Sequence, residues 1–295
     1  MLIKRLFRAV RGSKPRAQAT RADLVDRRER ESATTDAPRL SGETAARCPV
    51  CRGACALLGS VDFNKSCEEA RGRHLPASGI AVEYHRCGQC DFAFAPEFAQ
   101  WRPEQFRERI YNADYKLVDP DYIDARPRSN ASALVKILGK LDAIEHLDYG
   151  GGEGLMSALL RDRGWHSRSY DPFVDRATTF QSLGRFELVT AFEVFEHVPD
   201  VQQLMSDLCA LLDQPGLVLF STLLSDGQMN AGEGITWWYA SPRNGHISLF
   251  SRRSLEILGA QRGLHFGSLS ENLHAYWREA PPWANHLFSR PVAGR

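Results

Sequence analysis

From Ser129 onward, apolar positions alternate between helical stripes and short continuous runs. Leu134, Ile137, Leu138 and Leu141 share one face of a helix that Ser129 or Asn130 can cap. Glu145 to Tyr149 is too short for a helix and stops at Gly150, Gly151 and Gly152, so it reads as a strand entering a tight turn. Leu155, Ala158 and Leu159 return to helical spacing, with Gly164 where a C-terminal cap belongs, and Trp165 to Tyr170 reads as a second strand. Glu187 to Ala191 is a buried strand. Leu204, Leu208, Leu211 and Leu212 line one helical face, Pro215 and Gly216 turn the chain, and Leu217 to Phe220 is the next buried strand. Ser251 caps a helix from Arg252 to Gln261, and Leu264 to Leu269 closes the sheet. This alternation predicts an α/β fold with a doubly wound Rossmann-like sheet.

The first unit, from Glu145 to Asp171, has the form of strand, glycine loop, helix, strand and carboxylate. Its glycines fall at Gly150, Gly152 and Gly154, with acidic Asp148 two residues before the first. The dinucleotide fingerprint requires glycine at the sixth loop position, which Leu155 occupies, and there is no Lys-Ser or Lys-Thr pair to hold phosphates. A ligand with an amino-acid moiety fits better, because its ammonium needs an acceptor and a sulfonium needs no anion hole. Asp171, about twenty residues after the first glycine, stands where nucleotide-binding units place a carboxylate for ribose hydroxyls.

Leu147 to Gly154 resembles motif I of the class I S-adenosylmethionine-dependent methyltransferases, and Phe186 to Asp200 resembles the fourth-strand motif of that superfamily's small-molecule branch, the methyltransferase type 11/12/23-like group. The likeness covers about Ser129 to Leu269. It implies S-adenosylmethionine as cofactor (EC 2.1.1.-), with Asp148, Gly150, Gly152, Gly154, Asp171 and Phe192 around it. Between Pro172 and Gly184 there is little room for the family's third strand, and the adenine contact stays unassigned, with Phe173 a possible cover for the ring. Glu193, Glu196 and His197 resemble the segment with which ubiquinone-biosynthesis O-methyltransferases hold a divalent ion beside the substrate. The alternative is that His197 only braces its loop. Methyl transfer to a hydroxyl needs a proton acceptor, and His246 and His197 are the catalytic candidates, an ordinary imidazole being able to act as base at neutral pH. Trp237, Trp238 and Tyr239 are expected to face the acceptor, and Ser221 to Gly234 to form a lid.

Upstream the composition changes. Cys48 and Cys51 form one Cys-x-x-Cys pair and Cys87 and Cys90 another, four of seven cysteines. Converging on zinc they would make a closed structural site in a ribbon-like module over residues 47–100, with Cys55, Cys67, His74 and His85 as substitutes or buried bystanders. The module resembles, in its cysteine pairs alone, N-terminal domains of sugar C-methyltransferases and of some ribosomal-RNA methyltransferases. Residues 1–46 form a basic, Arg-rich tail read as disordered, or as resting on an anionic membrane through Leu2, Ile3, Leu6, Phe7 and Val10. Residues 101–128 form an aromatic and charged strap, 129–270 the methyltransferase domain and 271–295 a C-terminal tail.

Charge is balanced, 37 basic against 36 acidic residues, which gives no global argument for nucleic acid as partner. No apolar run is long enough for a membrane span or a secretory signal, and a cytoplasmic location is expected. Three functions compete: O- or N-methylation of a small molecule or saccharide, RNA methylation with the zinc module as grip, and cofactor binding without catalysis. The slightly acidic body disfavours the second, and intact motif I the third.

Overall fold

The computed structural model describes residues 46–175, 178–229 and 234–288, so the basic N-terminal tail lies outside the described residues. Its strands in chain order are β1 (Cys55–Asp62), β2 (Ala81–Cys87), β3 (Ala93–Phe94), β4 (Glu145–Tyr149), β5 (His166–Tyr170), β6 (Phe186–Phe192), β7 (Leu212–Ser221), β8 (Ser248–Leu249), β9 (His265–Ser268) and β10 (Leu273–Trp277). They make two sheets. The larger has the order β5-β4-β6-β7-β10-β9, parallel through its first four strands and antiparallel beyond. No strand lies outside β5 among the described residues, in keeping with the short run from Pro172 to Gly184. This is the expected Rossmann-like sheet.

Helices α1 (Pro103–Arg109) and α2 (Tyr115–Val118) form the strap, α3 (Ala125–Leu138) and α4 (Leu155–Arg161) pack on one face of the large sheet, and α5 (Val201–Leu211) and α6 (Arg252–Gln261) on the other. Two helices carry side-chain caps, the second of them the one expected at Ser251. Asp200 accepts from the Gln202 and Gln203 amides, and the Ser251 hydroxyl accepts from the Ser254 amide, satisfying first-turn donors.

Three local expectations are corrected. Helix α3 starts at Ala125 rather than after Ser129 or Asn130, because Pro127 sits in its first turn, where a missing N–H costs nothing. The chain from Leu212 to Ser221 is one strand running through Pro215 and Gly216. The segment after Glu271 is not a tail packed on the body: it supplies β10, inserted between β7 and β9 with Leu273, His274, Ala275 and Tyr276 all buried. A strand covered on both faces shows no alternation, which hid it.

The smaller sheet, β1-β2-β3-β8, is antiparallel, and its last strand comes from far along the chain, Ala93 pairing with Leu249. Cys48, Val50 and Phe92 belong to the same core as Phe195, Phe220 and Phe250 of the large sheet and its loops, and the Phe92 and Phe250 rings lie 5.0 Å apart. A segment this small cannot bury enough apolar surface alone, and here it shares its core with the body.

Candidate active site

At the mouth of β4 the chain needs three left-handed residues in five. Gly150, Gly152 and Gly154 supply them, with φ of 75°, 54° and 75°. The Gly150 amide donates to the Tyr170 carbonyl at 2.7 Å, tying the loop to β5. Beneath the loop Asp148 is buried, its Oδ1 accepting from the Thr190 hydroxyl at 2.9 Å. Thr190 Oγ1 is 3.0 Å from His146 Nε2, whose Nδ1 lies 2.8 Å from Ser167 Oγ, so a buried polar chain runs under the glycines. Burial pushes the Asp148 carboxyl up to about 7, with the nearby Asp171 charge adding to the rise. Asp171, half-buried, accepts from the Gly152 amide at 3.0 Å and from the Phe173 amide at 2.8 Å. Asp148, the loop glycines and Asp171 are thus brought together. Phe192, at the end of β6, is buried in the core with Leu188, Leu217 and Met156.

The next strand delivers the other half. Glu193 takes a left-handed φ of 55°, strained for a residue with a β-carbon, and Ser221 at the end of β7 pins it. The Ser221 hydroxyl accepts from the Glu193 amide at 2.8 Å and donates to its carboxylate at 2.9 Å. A 3-10 turn over Phe195–His197 follows, and Glu196 is fully buried. Its Oε1 accepts from the Tyr239 hydroxyl, while its Oε2 is buried with no hydrogen-bond partner among the described residues. His246 Nδ1 lies 2.8 Å from the Tyr239 carbonyl, His197 Nδ1 lies 3.1 Å from the Tyr111 hydroxyl, and the two imidazole centroids are 4.9 Å apart. Ligand-type atoms of Glu196, His197 and His246 all lie within 4.8 Å of one another.

Burial decides the protonation states here. It pushes Glu196 up to about 8, with Glu193 adding repulsion, and holds His197 down at about 3 and His246 well below its usual value, with Arg126 opposing the charge on both rings. Both imidazoles are therefore neutral at physiological pH and poor proton acceptors. The premise that either keeps an ordinary imidazole pKa is corrected; Glu196, pushed up to about 8, is mostly the neutral acid at physiological pH, and its ionised fraction is the strongest base of the three. The expected Glu193, Glu196 and His197 grouping is changed as well, His246 standing with the other two while Glu193 is bonded to Ser221.

The strap covers this cluster. Tyr111 reaches His197, its ring lies 5.8 Å from that of Phe173, and Tyr115 donates to the Asn244 carbonyl at 3.2 Å. Arg126 pairs with Asp119 through two bonds of 2.6 and 2.7 Å. Tyr239 is buried against Glu196, Trp237 is buried and Trp238 half-buried. Surface clefts of about 910 Å³ beside Arg47 and Arg262 and about 360 Å³ beside Trp101 are lined by other residues. Strand order places the Glu193 to His197 loop near the Trp237 to His246 segment, under a strap from Tyr111 to Tyr122, but sequence alone gave no signal for Thr190 or for the individual pairs Tyr111–His197 and His246–Glu196, since each contact spans dozens of residues without a shared pattern.

Cys48, Cys51, Cys87 and Cys90 form a second cluster, their sulfurs all within 4.8 Å of one another. Cys48 and Cys90 sulfurs are 3.5 Å apart and those of Cys51 and Cys87 3.4 Å, close to the ~3.8 Å that tetrahedral zinc–thiolate bonding implies. The Gln89 backbone amide donates to Cys87 Sγ at 3.3 Å. The donor set fits zinc. Cys55 and Cys67 stand outside it, Cys67 lying 3.7 Å from His246 Nδ1.

A family model described as a methyltransferase domain matches residues 122–267. Among solved structures, the 1,6-didemethyltoxoflavin-N1-methyltransferase of Burkholderia thailandensis is 17% identical over 70% of this chain and 99% of its own, with a TM-score of 0.43. An O-methyltransferase family protein from the same organism is 13% identical over 63% and 70% of the two chains, with a TM-score of 0.38. The magnesium protoporphyrin IX methyltransferase of Synechocystis PCC 6803 is 14% identical over 52% and 82%, with a TM-score of 0.36. No curated protein matches.

Proposed function

We propose, from the methyltransferase-domain family model that matches residues 122–267, that the chain is a class I S-adenosylmethionine-dependent methyltransferase that methylates a hydroxyl or amine of a small molecule or saccharide, in the space between the Glu193 to His197 loop and the strap. The observation that carries this reading is the Glu196 carboxyl, buried with one oxygen lacking a hydrogen-bond partner among the described residues and grouped within 4.8 Å of ligand-type atoms of His197 and His246. S-adenosylmethionine supplies a methyl group on a sulfonium when bound. Asp148 under the loop offers a negative charge for its ammonium, Asp171 acceptors for its ribose, and the three glycines close backbone approach. Transfer neutralises charge, so the site's work is alignment in a water-poor space and removal of one acceptor proton. In its ionised form, whose fraction grows as pH rises towards about 8, Glu196 takes that proton, and Tyr239 and the two imidazoles orient the acceptor oxygen or nitrogen.

Glu196, His197 and His246 also fit a divalent cation, which would acidify a bound hydroxyl. The four cysteines would hold one structural zinc. RNA is a weaker acceptor, because the cysteine segment that would grip it is built into the body's core and its sheet is completed by β8. No helix among the described residues is long and apolar enough to cross a membrane. The test is to incubate the protein with methyl-labelled S-adenosylmethionine and fractionated cell extract. Label should enter a low-molecular-weight or saccharide fraction and be lost in Glu196→Gln; label in the RNA fraction would reverse the choice.

A further inference from the structure

Lys65, just after β1, presents an ammonium that has no carboxylate within ion-pair distance among the described residues. Its Nζ instead reaches three backbone carbonyls of one short span, those of Trp237 at 2.9 Å, Ala240 at 2.6 Å and Trp238 at 3.4 Å. Among side chains, an ammonium is the group that brings three donors to a point, which suits three converging carbonyls. The span carries Tyr239, whose hydroxyl holds Glu196 and whose carbonyl holds His246.

Further bonds from the same side reinforce it. The Tyr84 hydroxyl of β2 donates to the His246 carbonyl at 2.6 Å, the Cys67 amide donates to Asn244 Oδ1 at 2.8 Å, and the Arg243 amide donates to the Lys65 carbonyl at 3.2 Å. Thr236 to Ile247 has no regular structure beyond a 3-10 turn over Pro242–Asn244, so helix or strand geometry does not fix it.

We infer that the cysteine-bearing sheet is the outer half of the acceptor site, with Lys65 as the positioning residue that sets Tyr239 and His246 against Glu196. This rests on the acceptor site proposed above. It gives the N-terminal segment a part in methyl transfer through the protein's own backbone, with no contact to cofactor required, and it separates the two half-sites: the glycine loop is set by β4 and β5, the acceptor wall by β1 and β2.

The test compares Lys65→Met and Lys65→Arg with the parent protein by hydrogen exchange with mass spectrometry and by calorimetry with S-adenosylhomocysteine. Lys65→Met should raise exchange over residues 237–247 by about tenfold, as expected when a charge-assisted hydrogen bond is lost, while residues 148–171 stay protected and S-adenosylhomocysteine affinity stays within about twofold. Lys65→Arg should restore part of the protection. With the extract fraction that accepts label, Lys65→Met should raise the acceptor KM by about tenfold and leave the KM for S-adenosylmethionine unchanged. Unchanged exchange over 237–247, or an equal rise in both regions, overturns the inference. Should Lys65→Met fail to fold, Tyr84→Phe removes one bond to the same span and must show the same local pattern. Absence of S-adenosylhomocysteine binding in the parent protein would instead strike the methyltransferase reading, and the exchange comparison would still decide the brace.

Discussion

Val194 stands against Gly150: its Cγ2 lies 2.5 Å from where a β-carbon on that glycine would begin. The glycine loop and the loop after β6 therefore share one contact, and Gly150→Ala should disturb both. The substitution meets a left-handed φ as well as Val194, whereas the β-carbon of Gly152→Ala would meet nothing within 4 Å. Calorimetry with S-adenosylhomocysteine should show Gly150→Ala binding at least tenfold more weakly than Gly152→Ala, whose own cost is the ~1–2 kcal/mol of a left-handed alanine. Equal losses would mean that steric contact with Val194 plays no part.

Asp148 gives a pH dependence with a definite sign. Its folded value of about 7 lies above the ordinary 3.8, so the free protein binds a proton there that the unfolded chain releases. The resulting contribution to stability is complete below about pH 4 and is lost as pH rises through about 7. An ammonium above the loop favours the ionised form, so cofactor binding below pH 7 should release a proton and tighten as pH rises towards about 7. Titrations in buffers of different ionisation enthalpy measure the release. Asp148→Asn should abolish it; undiminished release in that variant would assign the proton elsewhere.

One zinc per chain is expected in protein purified without added metal, bound by Cys48, Cys51, Cys87 and Cys90. Because Cys48 and Phe92 share a core with Phe195 and Phe250, Cys48→Ser should lower the melting temperature of the whole described fold in one transition. Elemental analysis and calorimetric melting check this. Two separated transitions, or full zinc retention in the Cys48→Ser, Cys87→Ser double variant, would contradict it.

Glu196→Gln keeps the partner for Tyr239 and removes the proton acceptor. Turnover should fall by roughly 10²- to 10⁴-fold, the range for loss of a general base, with S-adenosylhomocysteine affinity unchanged. His246→Ala and His197→Ala should lower turnover less, since neither ring takes the proton. Loss of turnover to a chelator while zinc stays bound would place a divalent ion at the three side chains instead.

The sheet and the glycine loop were legible in the sequence because their causes are local: glycines where φ is positive, apolar runs where strands are buried, Ser251 where the last long helix begins. Asp148, Gly150, Gly152, Gly154 and Asp171 lie within one unit and are read together. The acceptor side is assembled differently. Glu196 and His246 meet across fifty residues, His197 and Tyr111 across a gap longer still, and no periodicity records either meeting. Desolvation was equally invisible: the imidazoles look like ordinary bases until their burial is seen. β10 escaped for another reason, a strand buried on both faces having no alternation to show.

Strand β8 has only two residues, yet it follows directly on His246 and Ile247 and closes the N-terminal sheet. During synthesis the cysteines leave the ribosome early, whereas their sheet keeps a bare edge until Ser248 and Leu249 emerge some 155 residues after Phe94. If the four cysteines hold the proposed zinc, its capture can precede completion of that sheet by roughly 8 to 31 seconds at ~5–20 residues per second. A nascent chain halted before Ser248 would hold a metal-bound but unfinished sheet with an edge open to other strands, so the last pieces of the acceptor wall to be made are also the ones that end its exposure.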